Sequence, residues 1–132
     1  MVENSPAERL VRDLVEAIDA GRVDEILRLI HPGAELNPLS ADGQTLRGPD
    51  GAARWLDGLR SRDAVLRHTV ERTISLPGDH VVAVGRQQRF EPADGLKDRP
   101  VIWLLQFRDG RLWRGRVCPS LADAIAQAAE AA

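Results

Sequence analysis

No tyrosine occurs anywhere in the 132 residues, so no phenolic hydroxyl can serve as a proton donor or steady an oxyanion. Lysine is nearly as scarce. Lys97 is the only one, and with arginine supplying the other cations most Schiff-base chemistry is excluded. A single cysteine, Cys118, rules out an intramolecular disulfide and fits a reducing compartment. No apolar run approaches the ~18 residues of a membrane span. The opening Met1-Val-Glu-Asn-Ser-Pro6 has no basic region followed by an apolar core, so no secretory signal is expected and the expected location is cytoplasmic. A formal charge of −2 lacks the basic excess of a dedicated nucleic-acid binder. The expected partner is therefore a small molecule or another protein, with neither nucleic acid nor membrane. His31, His68, His80 and Cys118 show no short metal-ligand spacing, and there is no glycine-rich phosphate loop, so no metal or cofactor is expected.

What is present is an ordinary globular composition, long enough for one core and one domain over residues 1–132. The most informative stretch is residues 101–118, two β-type runs around Asp109-Gly110. An aspartate-glycine pair between apolar runs is a strong hairpin signal, because both turn positions tolerate positive φ. The first arm is almost wholly apolar and suits a central strand covered on both faces. The second alternates bulky and basic residues.

Before it, Ser5-Pro6-Ala7-Glu8 is a capping box with proline at the first helical position. Leu10, Val11, Leu14, Val15 and Ile18 follow as one apolar stripe, which Gly21 stops. Val23, Ile26, Leu27 and Ile30 predict a second, shorter helix, ended by His31-Pro32-Gly33. Residues 34–38 predict an edge strand, with Pro38 limiting its pairing. A polar loop through Asp42-Gly43 follows. Gly48-Pro49-Asp50 opens a third helix that turns Ala52, Trp55, Leu56 and Leu59 to the core and ends at Gly58 and the polar run 60–63. Residues 66–76 and 80–90 flank Pro77-Gly78-Asp79 and read as a second hairpin, and residues 91–100 as a polar loop. Ser120-Leu-Ala-Asp123 caps a closing alanine-rich helix. Helices grouped before an antiparallel meander predict an α+β fold, with helices on one face of a curved sheet and no internal repeat.

This order, with Gly48 opening the third helix and Phe107-Arg-Asp-Gly-Arg-Leu112 at the last hairpin, resembles the nuclear transport factor 2-like superfamily. Within it the chain looks closest to the ketosteroid isomerase-like and SnoaL-like polyketide cyclase branch. The resemblance implies a cone in which the sheet wraps the helices around a deep apolar pocket, and a homodimer formed through the outer sheet face. The steroid isomerases of that family use a tyrosine, an aspartate base followed by proline, and a protonated aspartic acid. By resemblance these positions are Leu14, Asn37 (before Pro38) and Trp103, so all three functions are missing here. An amide cannot take a proton as a carboxylate does; losing a positioned base typically costs ~10²–10⁴ in rate, and losing one oxyanion donor roughly 10²–10³. The implied reading is a small-molecule pocket protein for an apolar ring metabolite, without steroid isomerase activity.

A second reading is an enzyme. His68 follows Arg67 at a strand start, and that pair resembles the dehydratase-like members of the superfamily, where a pocket histidine serves as acid or base. Imidazole titrates close to neutral pH and suits the task. The alternative is a surface or hydrogen-bonded histidine, and no partner carboxylate is evident from spacing. Arg86 and Gln88 share parity with Val82 and Val84, so if the valines face the cavity these two present a cation and an amide to a carbonyl. If the strand leaves the core by Arg86, both are solvated. Trp55, Trp103 and Trp113 are expected to line the pocket, or simply to pack the core. Arg114, Arg116 and Cys118 have the opposite parity to Trp113 and should face outward. An arginine beside Cys118 would depress its thiol pKa, but with no histidine near it in sequence no nucleophilic role is read. A third reading is a dimerisation module with a filled core.

Overall fold

The structure, a computed structural model, describes residues 5–38 and 43–131, so most of the expected polar loop before Gly43 lies outside the described residues. Helix α1 (Pro6–Ala20) begins as its capping box predicts. The Ser5 hydroxyl accepts the Glu8 N–H at 3.1 Å, and Gly21, at φ 69°, ends the helix with its N–H on the Ile18 carbonyl. Val11, Leu14 and Ala17 form its buried stripe.

Helix α2 is shorter than the periodicity suggests. It spans Val23–Arg28, and Ile30 opens strand β1 (Ile30–Asn37) instead. His31-Pro32-Gly33 is thus an irregularity within a strand, not a helix stop. The register slips between Ile30 and Glu35, and the Gly33 N–H closes on His31 Nδ1 at 2.9 Å. Nor is β1 an edge strand. It lies between β2 (Leu46–Arg47) and β6 (Arg111–Cys118), antiparallel to the first and parallel to the second. A parallel partner some eighty residues away leaves no local trace in the sequence. Pro32 is tolerated because it sits in the irregular stretch, where its missing N–H breaks no ladder bond.

Helix α3 (Gly48–Ser61) carries Ala52 and Leu59 into the core, with Trp55 and Leu56 packed against it. Gly58 lies within the helix rather than at its end. Strands β3 (Val65–Leu76) and β4 (His80–Glu91) form the second hairpin. Strand β5 (Gly95–Arg108) starts earlier than the polar composition of residues 91–100 implies. Residues 95–100 pair fully with β4, and only residues 92–94 make the turn. The β5–β6 connection is the expected two-residue turn, with Asp109 at φ 55° and Gly110 at φ 71°, the type I′ geometry that matches strand twist.

The sheet order is β2-β1-β6-β5-β4-β3, a mixed, open, curved sheet in an α+β fold. Two bulges bend it. One residue, Glu71, is extra where β3 passes from Val70 to Arg72, and Trp113 is extra where β6 passes from Leu112 to Arg114. The β3 bulge needs Gly85 opposite it, because a Cβ there would collide with the Thr69 carbonyl oxygen. The concave face carries Val81, Ala83, Trp103, Leu105, Phe107 and Leu112 and packs against α1, α2 and α3. The helices do not all share that face. Helix α4 (Leu121–Ala131) lies on the convex side, where Ala124 and Ala128 cover Val82, Leu104 and Cys118. Central strand β5 is therefore covered on both faces, as its apolar run implied.

Among the described residues no helix is long and apolar enough to cross a membrane.

Candidate functional site

The concave face and the three early helices enclose a cavity of about 110 Å³, so the interior is not filled. Its walls are almost entirely apolar. Val11, Leu14, Val15 and Ile18 come from α1, Ala52 and Trp55 from α3, and Val70, Ala83, Trp103, Leu105 and Leu112 from the sheet. Its polar side chains are His68, Gln87 and Asn37, with Gly115 and Arg116 of β6 at its border.

The residue that sequence reasoning missed is Asp19. It sits in the last turn of α1 and receives β3 with both carboxylate oxygens. Oδ1 lies 2.6 Å from His68 Nδ1, and Oδ2 accepts the His68 backbone N–H at 2.9 Å. Arg67 completes the clamp by donating to the Asp19 carbonyl at 2.6 Å. The pair is largely shielded, with His68 and Asp19 side chains 9% and 20% exposed. The helix dipole disfavours a carboxylate at this end of α1. An acid placed there, with no basic residue in that turn, was the one signal available; the 49-residue separation hid its partner.

Because a carboxylate only accepts, Nδ1 carries the proton in the neutral ring, and Nε2 then presents its lone pair on the cavity side. Gln87 meets it there, its amide nitrogen 3.2 Å from Nε2, and is itself buried. The orientation of such an amide follows from its hydrogen-bond partners. A glutamine suits both states of the ring: the amide N–H₂ donates to neutral Nε2, and after half a turn the carbonyl oxygen accepts from a protonated one. Trp103 packs beside the imidazole, with ring centroids 5.8 Å apart. The arrangement is an imidazole with its tautomer set by a carboxylate, facing an apolar chamber, which is the geometry a general base requires.

Leu14, Asn37, Trp55, His68 and Trp103 all line this cavity. The Asn37 amide also donates to the Thr45 hydroxyl at 2.9 Å. The Trp55 indole N–H is buried without a partner among the described residues. Arg86 and Gln88 are not part of the cavity. Val82 and Val84, whose parity they share, face α4 on the convex side, and both polar residues bond to Asp98 on the exposed outer surface, Arg86 at 3.0 Å and Gln88 at 3.3 Å. The opposite parity faces inward, so the amide in the cavity is Gln87. Trp113 is also excluded, by the bulge. Leu112 and Gly115 both face inward, which turns Trp113 outward between the guanidinium groups of Arg108 and Arg114, 3.5 and 3.9 Å from its ring centroid.

Arg114 and Arg116 do lie on the convex side, and Cys118 with them, but Cys118 is covered by α4 rather than facing solvent. Burial pushes its thiol pKa up and outweighs the opposing pull of Arg116, so the expected activation by arginine is not realised. At the far end of β4, Glu91 accepts Arg62 at 2.9 Å from the end of α3 and Arg89 at 2.8 Å. These hydrogen bonds hold its carboxyl down at about 2. Among the described residues no group of three or more His, Cys, Asp or Glu is placed to hold a metal ion.

Residues 11–115 match the SnoaL-like domain. Aklanonic acid methyl ester cyclase AcmA of Streptomyces galilaeus is 30% identical over 131 residues, an alignment covering 91% of this chain and 88% of that one. Among solved structures, a nuclear transport factor 2-like protein from Burkholderia pseudomallei has a TM-score of 0.75 at 17% identity, covering 93% of this chain and 97% of its own. The Δ5-3-ketosteroid isomerase of a Mycobacterium species reaches 0.75 at 16% identity, covering 91% and 97%. A Mycobacterium tuberculosis protein in complex with estradiol-17β-hemisuccinate reaches 0.76 at 14%, covering 91% and 98%. At those identities the structures share the fold, while the sequence match over most of the chain assigns kinship: the protein belongs to the SnoaL-like domain family, on a nuclear transport factor 2-like fold.

Proposed function

We propose that this single-domain protein is a cyclase-like enzyme. It closes a ring in a small polyketide-type carbonyl compound by general acid–base catalysis, with His68 as the proton carrier and Asp19 as its orienting partner. The observation that carries the reading is the 2.6 Å contact between Asp19 and the ring of a histidine lining an apolar cavity. In the proposed cycle His68 Nε2 takes a proton from a carbon flanked by carbonyls. The carbanion attacks a second carbonyl of the same molecule, and the resulting alkoxide recovers the proton from the imidazolium. Atoms and charges balance with no co-reactant. The 30% identity to a methyl ester cyclase supports the substrate class.

Steroid isomerisation is not the proposed reaction. By the family resemblance the positions of that activity's three groups are taken by Leu14, Asn37 and Trp103, and the sequence has no tyrosine. We expect no measurable turnover of a Δ5-3-ketosteroid; turnover abolished by Asn37→Ala would overturn this.

The second reading, a non-catalytic binder of an apolar ring metabolite, is favoured by the cavity's size and greasiness. About 110 Å³ is less than an engineered cavity of 150 Å³ that holds benzene, so it seats one ring of a ligand whose remainder lies outside it. Homodimerisation through the outer sheet face belongs to the same proposal. Val65, Phe90 and Leu96 stand side by side in register across β3, β4 and β5, all exposed.

The test is mass-spectrometric turnover of a panel of polyketide methyl esters, aklanonic acid methyl ester first. Ring closure should fall at least ~10²-fold in His68→Ala, the lower range for a general base. Unchanged turnover in that variant removes His68 from the role. Saturable binding of the panel without any product assigns the binder instead.

A further inference from the structure

Trp113, Arg114 and Arg116 drew attention in the sequence and have no part in the cavity chemistry. With Arg108, His80 and Gln106 they line a second, larger cleft of about 490 Å³ on the convex face, beside the C-terminal part of α4. Three guanidinium groups meet there against one carboxylate, Glu130.

The charge is uncompensated. Several arginines elsewhere are paired with acids: Arg22 with Glu16 and Glu25, Arg47 with Glu35, Arg86 with Asp98, and Arg62 and Arg89 with Glu91. Arg108, Arg114 and Arg116 have no carboxylate within ion-pair distance among the described residues, in a protein whose net charge is −2. Their hydrogen bonds go to neutral acceptors, Arg114 to the Gly33 and Trp113 carbonyls and Arg116 to Gln127 Oε1 at 3.0 Å.

The groups are also held in place. Arg108 and Arg114 sandwich the Trp113 indole, and the β6 bulge that turns this ring outward fixes the stack in register with the cleft. His80 is 3% exposed, with Nδ1 held on the Pro77 carbonyl at 2.9 Å. Its ring forms part of the cleft wall. Like charges fixed this close repel one another, and the repulsion is relieved when an anion sits between them. Planar guanidinium forks match the oxygen pairs of carboxylate and phosphate, and the volume falls within the range of small-molecule sites.

We propose that the convex face carries a second binding site for a multivalent oxyanion, a phosphate- or carboxylate-bearing small molecule, separated from the cavity by the thickness of the sheet. The cleft lies at the opposite end of β4 from Val65, Phe90 and Leu96, so it is independent of the proposed dimer contact. It is independent of any chemistry at His68 as well.

The test is isothermal titration calorimetry of the full chain at low ionic strength with inorganic pyrophosphate and with citrate, alongside the indole N–H signal of Trp113 in a nitrogen–proton NMR spectrum. The expected result is saturable one-to-one binding of at least one probe that moves the Trp113 signal, weakened at least ~10-fold by Arg108→Ala and by Arg114→Lys, the loss of one charge-assisted hydrogen bond. Arg114→Lys keeps the charge and removes the fork, and an unchanged His68 ring signal in each variant establishes that the fold is intact. Binding of pyrophosphate alone assigns a phosphate ligand, and of citrate alone a carboxylate. No binding of either probe at millimolar concentration overturns the proposal. So does binding equally strong in both variants, or displacement by chloride at matched ionic strength.

Discussion

The two faces of one sheet are built from alternate residues of the same strands and have opposite electrostatics. On the concave face the shielded acids are matched. Asp19 is engaged by His68, and Glu91 by Arg62 and Arg89, so the imidazole in the apolar cavity is held in a defined tautomer. On the convex face beside α4 three arginines line a wide cleft with no ion pair among the described residues. A small apolar cavity with one oriented imidazole is suited to chemistry, whereas a larger cleft lined by three guanidinium groups is suited to holding an anion. Parity within a strand decides which face a residue joins, and the bulges at Glu71 and Trp113 reset that parity partway along.

The harshest way to break this division is Gly85→Ala. With a Cβ driven into the Thr69 carbonyl, the bulge that curls β3 over the cavity cannot persist, and urea unfolding should report a loss of about 3 kcal/mol. A stability change within about 0.5 kcal/mol would mean that the bulge is not what shapes the concave face.

Next in size is Asp19→Asn, which keeps shape and removes the acceptor that sets the imidazole tautomer. Turnover should fall at least ~10²-fold with the fold retained, and the His68 ring signals should show the Nδ1 proton lost from its hydrogen bond. If the tautomer is unchanged, the pair is a structural clamp only.

Trp113→Leu is milder. It removes two guanidinium stacks at a partly exposed site, each worth about 0.5 kcal/mol, and should lower stability by about 1 kcal/mol. Signals from the concave face should not move; if the His68 ring responds, the two faces are coupled.

The smallest effect appears only in acid. Glu91 is held at about 2 in the folded chain, against an ordinary value of 4.5, so its contribution is fully present above about pH 4.5 and is lost as the pH falls towards 2. Glu91→Gln should therefore flatten the acid arm of a stability-against-pH curve. An arm as steep as that of the parent would place the acid sensitivity elsewhere.

Local chemistry made much of this legible in advance. The caps at Ser5 and Ser120, the stop at Gly21, the opening at Gly48 and the Asp109-Gly110 turn each act within a few residues, and each stands where its chemistry requires. Leu14, Asn37, Trp55, His68 and Trp103 could be brought together because the order of elements resembles a known fold. The failures share one cause. Ile30 reads as helical until its pairing with Leu112 is known, Arg86 and Gln88 read as inward until α4 claims the face of Val82, and Trp113 reads as inward until a bulge shifts it.

The chain's own pattern thus determined the elements, their order and the α+β class, since helix caps, tight turns and apolar periodicity depend on neighbours a few positions away. Only tertiary structure decided which side of the sheet each strand residue faces, which terminal helix covers which surface, and that an aspartate at the end of the first helix meets a histidine 49 residues later. The physical reason is that strand parity has no absolute reference. It is set by what packs on each face and by single extra residues in the ladder, and both come from parts of the chain far apart in sequence.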